Sequence, residues 1–348
     1  MAKDLVDHLR AEAEAQVVVD SHIWNQFDVL LADLDGVIYE GSLPIEGAPQ
    51  TINEIQSRGV KVGYVTNNSS RMVTTITNQL LGLGIRAEPD DIISSGQTAV
   101  ELLQTKIPKG SRVLVVGGEG LRAWVIAGGF RLSTSSEDKP VAVIQGFSPD
   151  VSWRDLAEAS YSIQNGALWI ATNNDWTLPQ ERGLAPGNGT LVSAVHTAVG
   201  QFPIVAGKPE PAIFKTALKV FRSREALFVG DRLDTDILGS NRAGVASALV
   251  LTGVSTRKDV LAANKEERPE YILANLAELL VEYKKPKETK RGWSCGKVSV
   301  ELLGDKVLVT EGDPSSIEAL RAACQVIWNS GKHIHFLNVQ PELYEKKA

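Results

Sequence analysis

Short, continuous apolar runs alternate with amphipathic stretches along most of the chain. The first run, Val29–Ala32, has no polar position, which is typical of a strand buried on both faces of a parallel sheet. Similar runs occur at Val60–Val65, Ala226–Gly230 and Ser247–Gly253, and helical segments such as Ala48–Ser57 lie between them. This alternation predicts an α/β fold with a doubly wound parallel sheet as its core.

A second series of strands interrupts the first one. Runs such as Arg112–Gly117 and Val141–Gly146 have the strand pattern, and a turn-rich loop follows at Asn173–Thr190. We therefore expect a smaller α/β domain inserted into the core. The expected boundaries are residues 1–104 and 200–283 for the core and residues 105–199 for the insertion.

The two ends of the chain have different patterns. Residues 284–292, KKPKETKRG, form a basic run that we interpret as a solvated linker. Residues 293–348 predict a small α+β module of ββαβ type. Since a linker of this composition suggests few contacts across it, we expect the rest of the chain to function without the module. The first 16 residues predict a short amphipathic helix.

The amino-acid composition limits which partners and which cellular compartment are expected. The 348 residues are 43% apolar and 22% charged, and the net charge of −6 argues against nucleic acid as the main partner. No apolar run approaches the roughly 20 residues that span a bilayer, so no membrane segment is expected. Cys295 and Cys324 are too few for a disulfide framework, which suits a reducing cytoplasm. The oligomeric state stays open, with a homo-oligomer among the options.

Polar residues follow four of the apolar runs. Asp33 and Asp35 follow the first, Thr66 ends the second, and Lys208 and Asp231 follow two later ones. Because the carboxyl ends of strands in an open α/β sheet line one crevice, we expect these side chains to converge. Each of them alone is explained equally well as a helix cap. Four caps with complementary charges would be a coincidence.

The chemistry of these residues points to a metal ion and a phosphoryl group. Asp33, Asp35 and Asp231 offer hard oxygen ligands of the kind that Mg²⁺ prefers. Thr66 and Lys208 supply a hydroxyl donor and a positive charge, which suit a phosphoryl group. We expect the nearby Asp236 to orient waters of the metal from outside the ligand set.

Four segments carry a family resemblance. DLDGVIYEG, VTNNSS, AGKPEPAIF and VGDRLDTDILG resemble, in order, the four motifs of the haloacid dehalogenase superfamily of phosphatases. The resemblance implies a Rossmann-like core with an α/β cap inserted between the second and third motifs. This arrangement resembles that of the large-capped subclass, which includes phosphatases for phosphoglycolate, glycerol 3-phosphate, pyridoxal phosphate and nitrophenyl phosphate. The implied activity is a cytoplasmic, Mg²⁺-dependent hydrolysis of a small phosphorylated metabolite.

The same resemblance implies roles for individual residues. Asp33 is implied as the nucleophile that forms an aspartyl-phosphate, and Asp35 as the general acid and then the base. The residues implied in binding the phosphoryl group are Thr66, Asn67, Asn68 and Lys208. The implied Mg²⁺ ligands are the Asp33 side chain, the Asp35 backbone carbonyl and the Asp231 side chain.

The cap loop, residues 173–188, is implied to recognise the leaving group. It offers Asn174, Asp175 and Arg182 but no histidine, which pyridoxal phosphatases have there. Small hydrogen-bonding side chains favour a polyol, whereas an Arg182 pairing with a carboxylate would favour phosphoglycolate. The resemblance over the whole length, including the C-terminal module, is closest to bacterial glycerol 3-phosphate phosphatases. We therefore expect glycerol 3-phosphate as the substrate.

Other readings fit the sequence less well. A non-catalytic sensor of phosphorylated metabolites would not need the second acid, Asp35. A sugar phosphomutase of this superfamily usually has a smaller helical cap after the first motif. Gly118–Ala123 is similar to a dinucleotide-binding turn, but the following strand ends on Gln145 where an acid for the ribose would be expected.

Overall fold

A six-stranded parallel sheet forms the centre of the protein in the computed structural model, which describes residues 22–180 and 182–345. The helix predicted over the first 16 residues lies outside this described part. The first half of the central unit contains β1 (Val29–Ala32), β2 (Tyr39–Glu40), β3 (Leu43–Pro44), α1 (Ala48–Ser57), β4 (Lys61–Thr66), α2 (Val73–Gly82), β5 (Ile92–Ser94) and α3 (Ser95–Lys106).

The inserted cap follows α3 and has its own parallel sheet. Its elements are β6 (Arg112–Val116), α4 (Glu119–Ala127), β7 (Arg131–Ser133), β8 (Ala142–Gln145), α5 (Trp153–Gln164), β9 (Leu168–Ala171), β10 (Thr177–Gln180), β11 (Gly183–Pro186), α6 (Asn188–Val199) and β12 (Ile204–Val205). The strand order is β12-β9-β8-β6-β7, and β10 and β11 form a separate hairpin.

The chain then completes the central sheet and ends in the module. The remaining core elements are α7 (Pro211–Phe221), β13 (Ala226–Gly230), the π-helical turn Leu233–Ile237, α8 (Leu238–Ala243), β14 (Ala246–Val250), α9 (Arg257–Leu261) and β15 (Tyr271–Leu273). The module contains β16 (Lys287–Glu288), β17 (Gly292–Cys295), β18 (Val298–Leu303), β19 (Lys306–Glu311), α10 (Ile317–Asn329) and β20 (Asn338–Val339).

The central sheet has the order β15-β14-β13-β1-β4-β5. Along β1, Leu30 and Ala32 pack in the hydrophobic cluster on one face, whereas Val29 and Leu31 pack in the cluster on the other. Both faces are therefore covered, which explains why the run has no polar position. The predicted doubly wound core with an inserted cap and a C-terminal α+β module is confirmed. Among the described residues, no helix is long and apolar enough to cross a bilayer.

Two expectations about the cap are wrong in detail. Residues 200–207 were expected to resume the core, but Ile204–Val205 pair in parallel with Ile170–Ala171 of the cap sheet. The loop expected at Asn173–Thr190 contains the antiparallel hairpin of β10 and β11. Both elements are short and held by backbone hydrogen bonds, which leave little trace in an apolar pattern.

The expected linker is also partly structured. Lys287–Glu288 pair with Trp293–Ser294 and form the edge strand of the module's five-stranded sheet. Near the end of the core, the helix expected at Leu276–Tyr283 is a 3₁₀ turn covering Leu276–Leu280.

The expectation of few contacts between core and module is wrong. Leu249, Leu261 and Ile272 of the core share one hydrophobic cluster with Leu320 and Val326 of α10. Burial of this surface stabilises the docked module, because each large apolar side chain contributes about 1.5–3 kcal/mol when removed from water. The module is therefore packed as part of the fold.

A buried cation adds polar contacts to this interface. Arg321 is only 4% exposed, and its Nε donates to the Ile272 carbonyl at 2.8 Å. It also pairs with Glu278 at 2.6 Å, and its guanidinium lies 4.1 Å from the centre of the Tyr283 ring. A buried guanidinium needs partners for its donors, and these all come from the core.

Candidate active site

The candidate site lies where the strand order reverses, between β1 and β13. Asp33 directly follows β1, and its backbone N–H donates to the Val229 carbonyl of β13 at 2.8 Å. Asp231 directly follows β13, and Thr66 is the last residue of the neighbouring β4. The crevice at such a switch point is the usual ligand site of a doubly wound sheet.

Lys208 is the centre of a buried charge cluster. Its Nζ lies 2.7 Å from Asp33 Oδ1 and 2.8 Å from Asp236 Oδ1, and it also donates to the Val65 carbonyl at 3.3 Å. Carboxylate oxygens of Asp33, Asp231 and Asp236 lie within 4.8 Å of one another. The structure thus brings together residues separated by up to 203 positions in the chain.

Asp236 has a more central place than the sequence suggested. Besides the ion pair to Lys208, its Oδ2 accepts hydrogen bonds from the backbone N–H groups of Asp231 and Arg232, both at 3.1 Å. It therefore fixes the turn that carries Asp231. The π-helical turn Leu233–Ile237 brings the Asp236 carboxylate back toward this backbone.

The cluster carries more negative than positive charge. Burial alone would lower the pKa of Lys208, but the carboxylates of Asp236 and Asp33 outweigh it and raise that pKa. Burial also raises the pKa of Asp33 and of Asp231, and the neighbouring carboxylates add to this effect. Three carboxylates around one ammonium leave an excess of negative charge, which a divalent cation neutralises.

The residues present fit such a cation. Asp231 Oδ2 accepts from the Val254 N–H at 2.7 Å, whereas the buried Oδ1 of the same carboxylate has no hydrogen-bond partner among the described residues. A buried carboxylate oxygen without a partner is costly unless a ligand satisfies it. Gly36, with φ +80°, and Gly253 leave the room for this carboxylate, since an added Cβ would lie 2.5 Å and 2.0 Å from Asp231 Oδ2. All ligands are hard oxygens, as Mg²⁺ requires.

Asp35 lies at the edge of the site, where part of the residue is open to solvent and part is covered by surrounding atoms. Desolvation by the surrounding atoms raises the pKa of its carboxyl, against the opposing charges of Lys208 and Arg71. A carboxyl with a raised pKa holds a proton more readily and can give it to a leaving group. Arg71 was missed in the sequence, although a cation directly after the VTNNSS segment was a visible signal.

The three residues after β4 have different environments. Thr66 Oγ1 accepts from the Asn68 N–H at 3.0 Å, which leaves the hydroxyl proton free to donate. Asn67 accepts from the Lys208 N–H at 2.8 Å and donates to the Lys208 carbonyl at 3.1 Å, so its side chain fixes the lysine backbone. Asn68 Oδ1 accepts from the backbone N–H groups of Ser70 and Arg71, which makes its side chain part of the loop itself.

The three cap candidates are not equivalent. Asp175 accepts from Asn67 Nδ2 at 3.1 Å and 3.3 Å and therefore reaches the core loop. Asn174 is exposed beside it. Arg182 lies in the exposed turn of the β10–β11 hairpin, and among the described residues it is outside the hydrogen-bond network around Lys208.

Arg232 is a second cation that the sequence reading missed. Its guanidinium holds Asp234 through two hydrogen bonds of 3.1 Å and 2.9 Å. Its charge also acts to lower the pKa of both Asp175 and Asp231, although burial keeps both pKa values raised. The guanidinium of Arg232, in the fourth motif, therefore acts on both the cap residue Asp175 and the candidate metal ligand Asp231.

The glycine-rich segment Gly118–Ala123 has a packing role. The Gly120 N–H donates to the Ser70 carbonyl at 3.1 Å, and an added Cβ on Gly120 would lie 2.4 Å from the Arg71 carbonyl oxygen. These glycines allow the cap to approach the loop after β4. The likeness to a dinucleotide-binding turn is explained by this close contact.

Comparison with known proteins places this site in a family. A family model described as haloacid dehalogenase-like hydrolase matches residues 30–131, and a second, described as HAD-hydrolase-like, matches residues 205–279. The D-glycerol 3-phosphate phosphatase of Mycobacterium tuberculosis is 42% identical over 313 residues, which cover 88% of each chain. The chain belongs to the haloacid dehalogenase-like hydrolases.

Other members of the family support the same placement. The acid sugar phosphatase of Staphylococcus aureus is 36% identical over 75% of this chain and 99% of its own length. The crystal structure of glycerol phosphate phosphatase from M. tuberculosis in complex with magnesium has a TM-score of 0.83 and 40% identity, covering 92% of this chain and 94% of that chain. The p-nitrophenyl phosphatase from Archaeoglobus fulgidus has a TM-score of 0.68 and 26% identity, covering 73% and 98%. This haloacid dehalogenase-like hydrolase is an enzyme of the phosphatase type.

Proposed function

We propose that this enzyme hydrolyses glycerol 3-phosphate to glycerol and inorganic phosphate through an aspartyl-phosphate on Asp33, with Mg²⁺ as cofactor. The observation that carries the chemistry is the buried Lys208–Asp33 pair of 2.7 Å, with Asp35 two residues further on at the solvent edge. The likeness to the mycobacterial glycerol 3-phosphate phosphatase, over 88% of both chains, supports the substrate.

The proposed reaction has two steps, the formation of the aspartyl-phosphate and its hydrolysis. Asp33 attacks the phosphorus with a carboxylate oxygen while the bond from phosphorus to the glycerol oxygen breaks, and Asp35 donates a proton to that oxygen. Water then attacks the aspartyl-phosphate, Asp35 accepts the proton from water, and phosphate leaves with Asp33 restored. Lys208 and the Thr66 hydroxyl hold the phosphoryl oxygens.

Mg²⁺ would be held by the side chains of Asp33 and Asp231 and by the Asp35 backbone carbonyl. Bound there, it neutralises charge on the phosphoryl group and on the attacking carboxylate. Asp236 faces the same cluster, and we assign to it the orientation of Lys208 and of the Asp231 backbone.

The first test removes the two acids separately. Asp33→Asn should abolish phosphate release, because no nucleophile is left to form the covalent intermediate. Asp35→Asn should retain the nucleophile and lower kcat by about 10²–10⁴-fold, which is the usual contribution of general acid–base catalysis. Both are measured as phosphate released per enzyme at saturating Mg²⁺. Full activity in Asp33→Asn would overturn the mechanism.

The second test concerns the substrate. A site that hydrogen-bonds the glycerol hydroxyls should reject an analogue that lacks them, since its own polar groups would be left unpaired. We expect kcat/KM for glycerol 3-phosphate to exceed that for propyl phosphate by on the order of 10⁴-fold, as is typical of a site that hydrogen-bonds a substrate hydroxyl. The same kcat/KM measurement is made with phosphoglycolate and with pyridoxal phosphate.

Two outcomes would redirect the assignment. Equal kcat/KM values for glycerol 3-phosphate and propyl phosphate would show that the hydroxyls are not recognised. A preference for phosphoglycolate that disappears in Arg182→Ala would replace the polyol with a carboxylate as the recognised group. In both cases the phosphatase chemistry would stand and the substrate would change.

We place the enzyme in the cytoplasm. Both cysteines, Cys295 and Cys324, are free and buried in the structure. Two free thiols without a disulfide suit a reducing compartment.

A further inference from the structure

The segment between β14 and α9, residues 251–256, holds the candidate metal ligand Asp231. The Val254 N–H donates to Asp231 Oδ2 at 2.7 Å, and the Ser255 N–H donates to the Asp231 carbonyl at 3.0 Å. Ser255 Oγ accepts from the Leu233 N–H at 3.0 Å, which ties the turn after Asp231 to the same segment. The direction of the Asp231 carboxylate therefore depends on where this segment lies.

Arg257, the first residue of α9, fastens this segment to the C-terminal module. Its Nε donates to the Leu343 carbonyl at 2.7 Å and its Nη2 donates to the Ser316 carbonyl at 2.8 Å. Hydrogen bonds from a charged donor are among the stronger ones, and this guanidinium is half-buried. Both acceptors belong to the module, one next to α10 and one near the end of the chain.

Hydrophobic contacts also connect α9 and the turn after Asp231 to the C-terminal module. Val260 and Leu261 of α9 are buried in the cluster that the module residues Leu320 and Val326 share. The π-helical turn that carries Asp236 contributes Leu233 and Ile237 to this cluster. Both acids that follow β13 are thus attached to elements that pack in the module's hydrophobic core.

We propose that the C-terminal module positions the metal site: through Arg257 and residues 253–256 it holds the Asp231 carboxylate in the direction that binds Mg²⁺. Arg257 is a positioning residue, since its guanidinium binds carbonyls of the module and acts on Asp231 only through residues 253–256. The proposal assigns a function to the module and rests on the proposed use of Mg²⁺.

A second arginine provides a matched comparison. Arg268 also crosses the interface, with Nη1 donating to the Trp328 carbonyl at 3.3 Å and its guanidinium 5.2 Å from the centre of the Trp328 ring. Its remaining bond is to the Ala263 carbonyl, beyond α9. Loss of Arg268 should therefore weaken the docking of the module without a direct effect on the segment that holds Asp231.

The experiment compares full-length Arg257→Ala and Arg268→Ala with the unaltered protein. The dissociation constant of Mg²⁺ alone is measured by isothermal titration calorimetry, and the thermal unfolding temperature is measured without metal. Residues that orient metal ligands typically contribute 10–100-fold to metal affinity, and Arg257 acts one contact further away. We expect about 3- to 10-fold weaker Mg²⁺ binding in Arg257→Ala and a change within about twofold in Arg268→Ala.

Two results would overturn the proposal. Unchanged Mg²⁺ binding in Arg257→Ala would show that the module does not act on the metal site. Equal weakening in both variants would show a general effect of a loosened interface. Should the alanine variants be insoluble, the pair Arg257→Gln and Arg268→Gln is measured with the same criteria.

The design separates this inference from the proposed function. If the unaltered protein binds Mg²⁺ but hydrolyses none of the phosphate esters, the activity assignment fails, while the difference between the two arginine variants remains measurable.

Discussion

At the scale of single residues, the site depends on two glycines that contact the Asp231 carboxylate. An added Cβ on Gly253 would lie 2.0 Å from Asp231 Oδ2, far closer than any real contact. The neighbouring Val254 N–H is the hydrogen-bond donor that fixes this oxygen. The backbone at Gly253 is not in the left-handed region, so the missing side chain itself is the requirement there.

A substitution at this position isolates that requirement. Gly253→Ala should move the Asp231 carboxylate and weaken Mg²⁺ binding at least about 10-fold, the lower end of the effect expected for a disturbed metal site. Gly82→Ala is the control, because Gly82 lies at the end of α2 with open space around it. Calorimetric titration with Mg²⁺ measures both variants. Wild-type affinity in Gly253→Ala would mean that Asp231 can shift at no cost to the metal site.

At the scale of elements, the segment after β9 ties the cap to the loop after β4. Asn173 Nδ2 donates to the Asn67 carbonyl at 2.8 Å, and Ser69 and Thr172 share a hydrogen bond of 2.9 Å between their hydroxyls. Asp175 completes the contact by accepting from Asn67, whose side chain also holds the backbone of Lys208. The position of the cap and the position of Lys208 are therefore linked through Asn67.

Two variants of Asp175 distinguish anchoring from substrate binding. Asp175→Asn keeps an acceptor oxygen for Asn67 and should remain within a few-fold of the unaltered enzyme. Asp175→Ala removes the acceptor, and since hydrogen bonds to charged groups contribute about 1.5–3 kcal/mol, kcat/KM should fall about 10- to 100-fold. A similar fall in both variants would instead assign the Asp175 charge to substrate binding. The measurement is kcat/KM for glycerol 3-phosphate.

At the scale of the whole molecule, the C-terminal module completes the hydrophobic core of the catalytic unit. Val260, Leu261 and Ile272 of the core are at most 3% exposed, in a cluster that also contains seven buried residues of α10. Buried residues of the module's sheet, such as Val300 and Val307, belong to the same cluster. Arg321 adds a buried ion pair across the same surface. Removal of the module would expose this apolar surface and leave Glu278 without its cationic partner, Arg321.

Truncation after Tyr283 tests this dependence. Several large apolar side chains at about 1.5–3 kcal/mol each amount to a large part of the roughly 5–15 kcal/mol by which a typical domain is stable. We expect the truncated protein to aggregate or to unfold at a clearly lower temperature than full-length protein with the same tag. Size-exclusion chromatography and thermal unfolding are the measurements. A soluble, monodisperse truncation with unchanged unfolding temperature would show that the module docks without supporting the core.

Neighbouring residues in the sequence encode the local elements and the chemistry at their ends. The run Val29–Ala32 and the helix Ala48–Ser57 have the predicted bounds, because burial on both faces and helical periodicity are encoded by neighbouring residues. Asp33, Lys208 and Asp231 are recognisable from the sequence because each one follows such an apolar run. Their convergence follows from a general property of parallel sheets, which place the carboxyl ends of their strands along one edge.

Which distant surfaces meet depends on the folding of the whole chain. The pairing of Ile204–Val205 with the cap sheet and of Lys287–Glu288 with the module uses backbone hydrogen bonds, which every residue type can make. Asp175 binds Asn67, which lies 108 positions away in the chain. Arg257 binds the carbonyls of Leu343 and Ser316 in the module, which lie 86 and 59 positions away. Such a residue has the same local pattern whether it faces solvent or a partner, because its partner is supplied by the folding of another part of the chain.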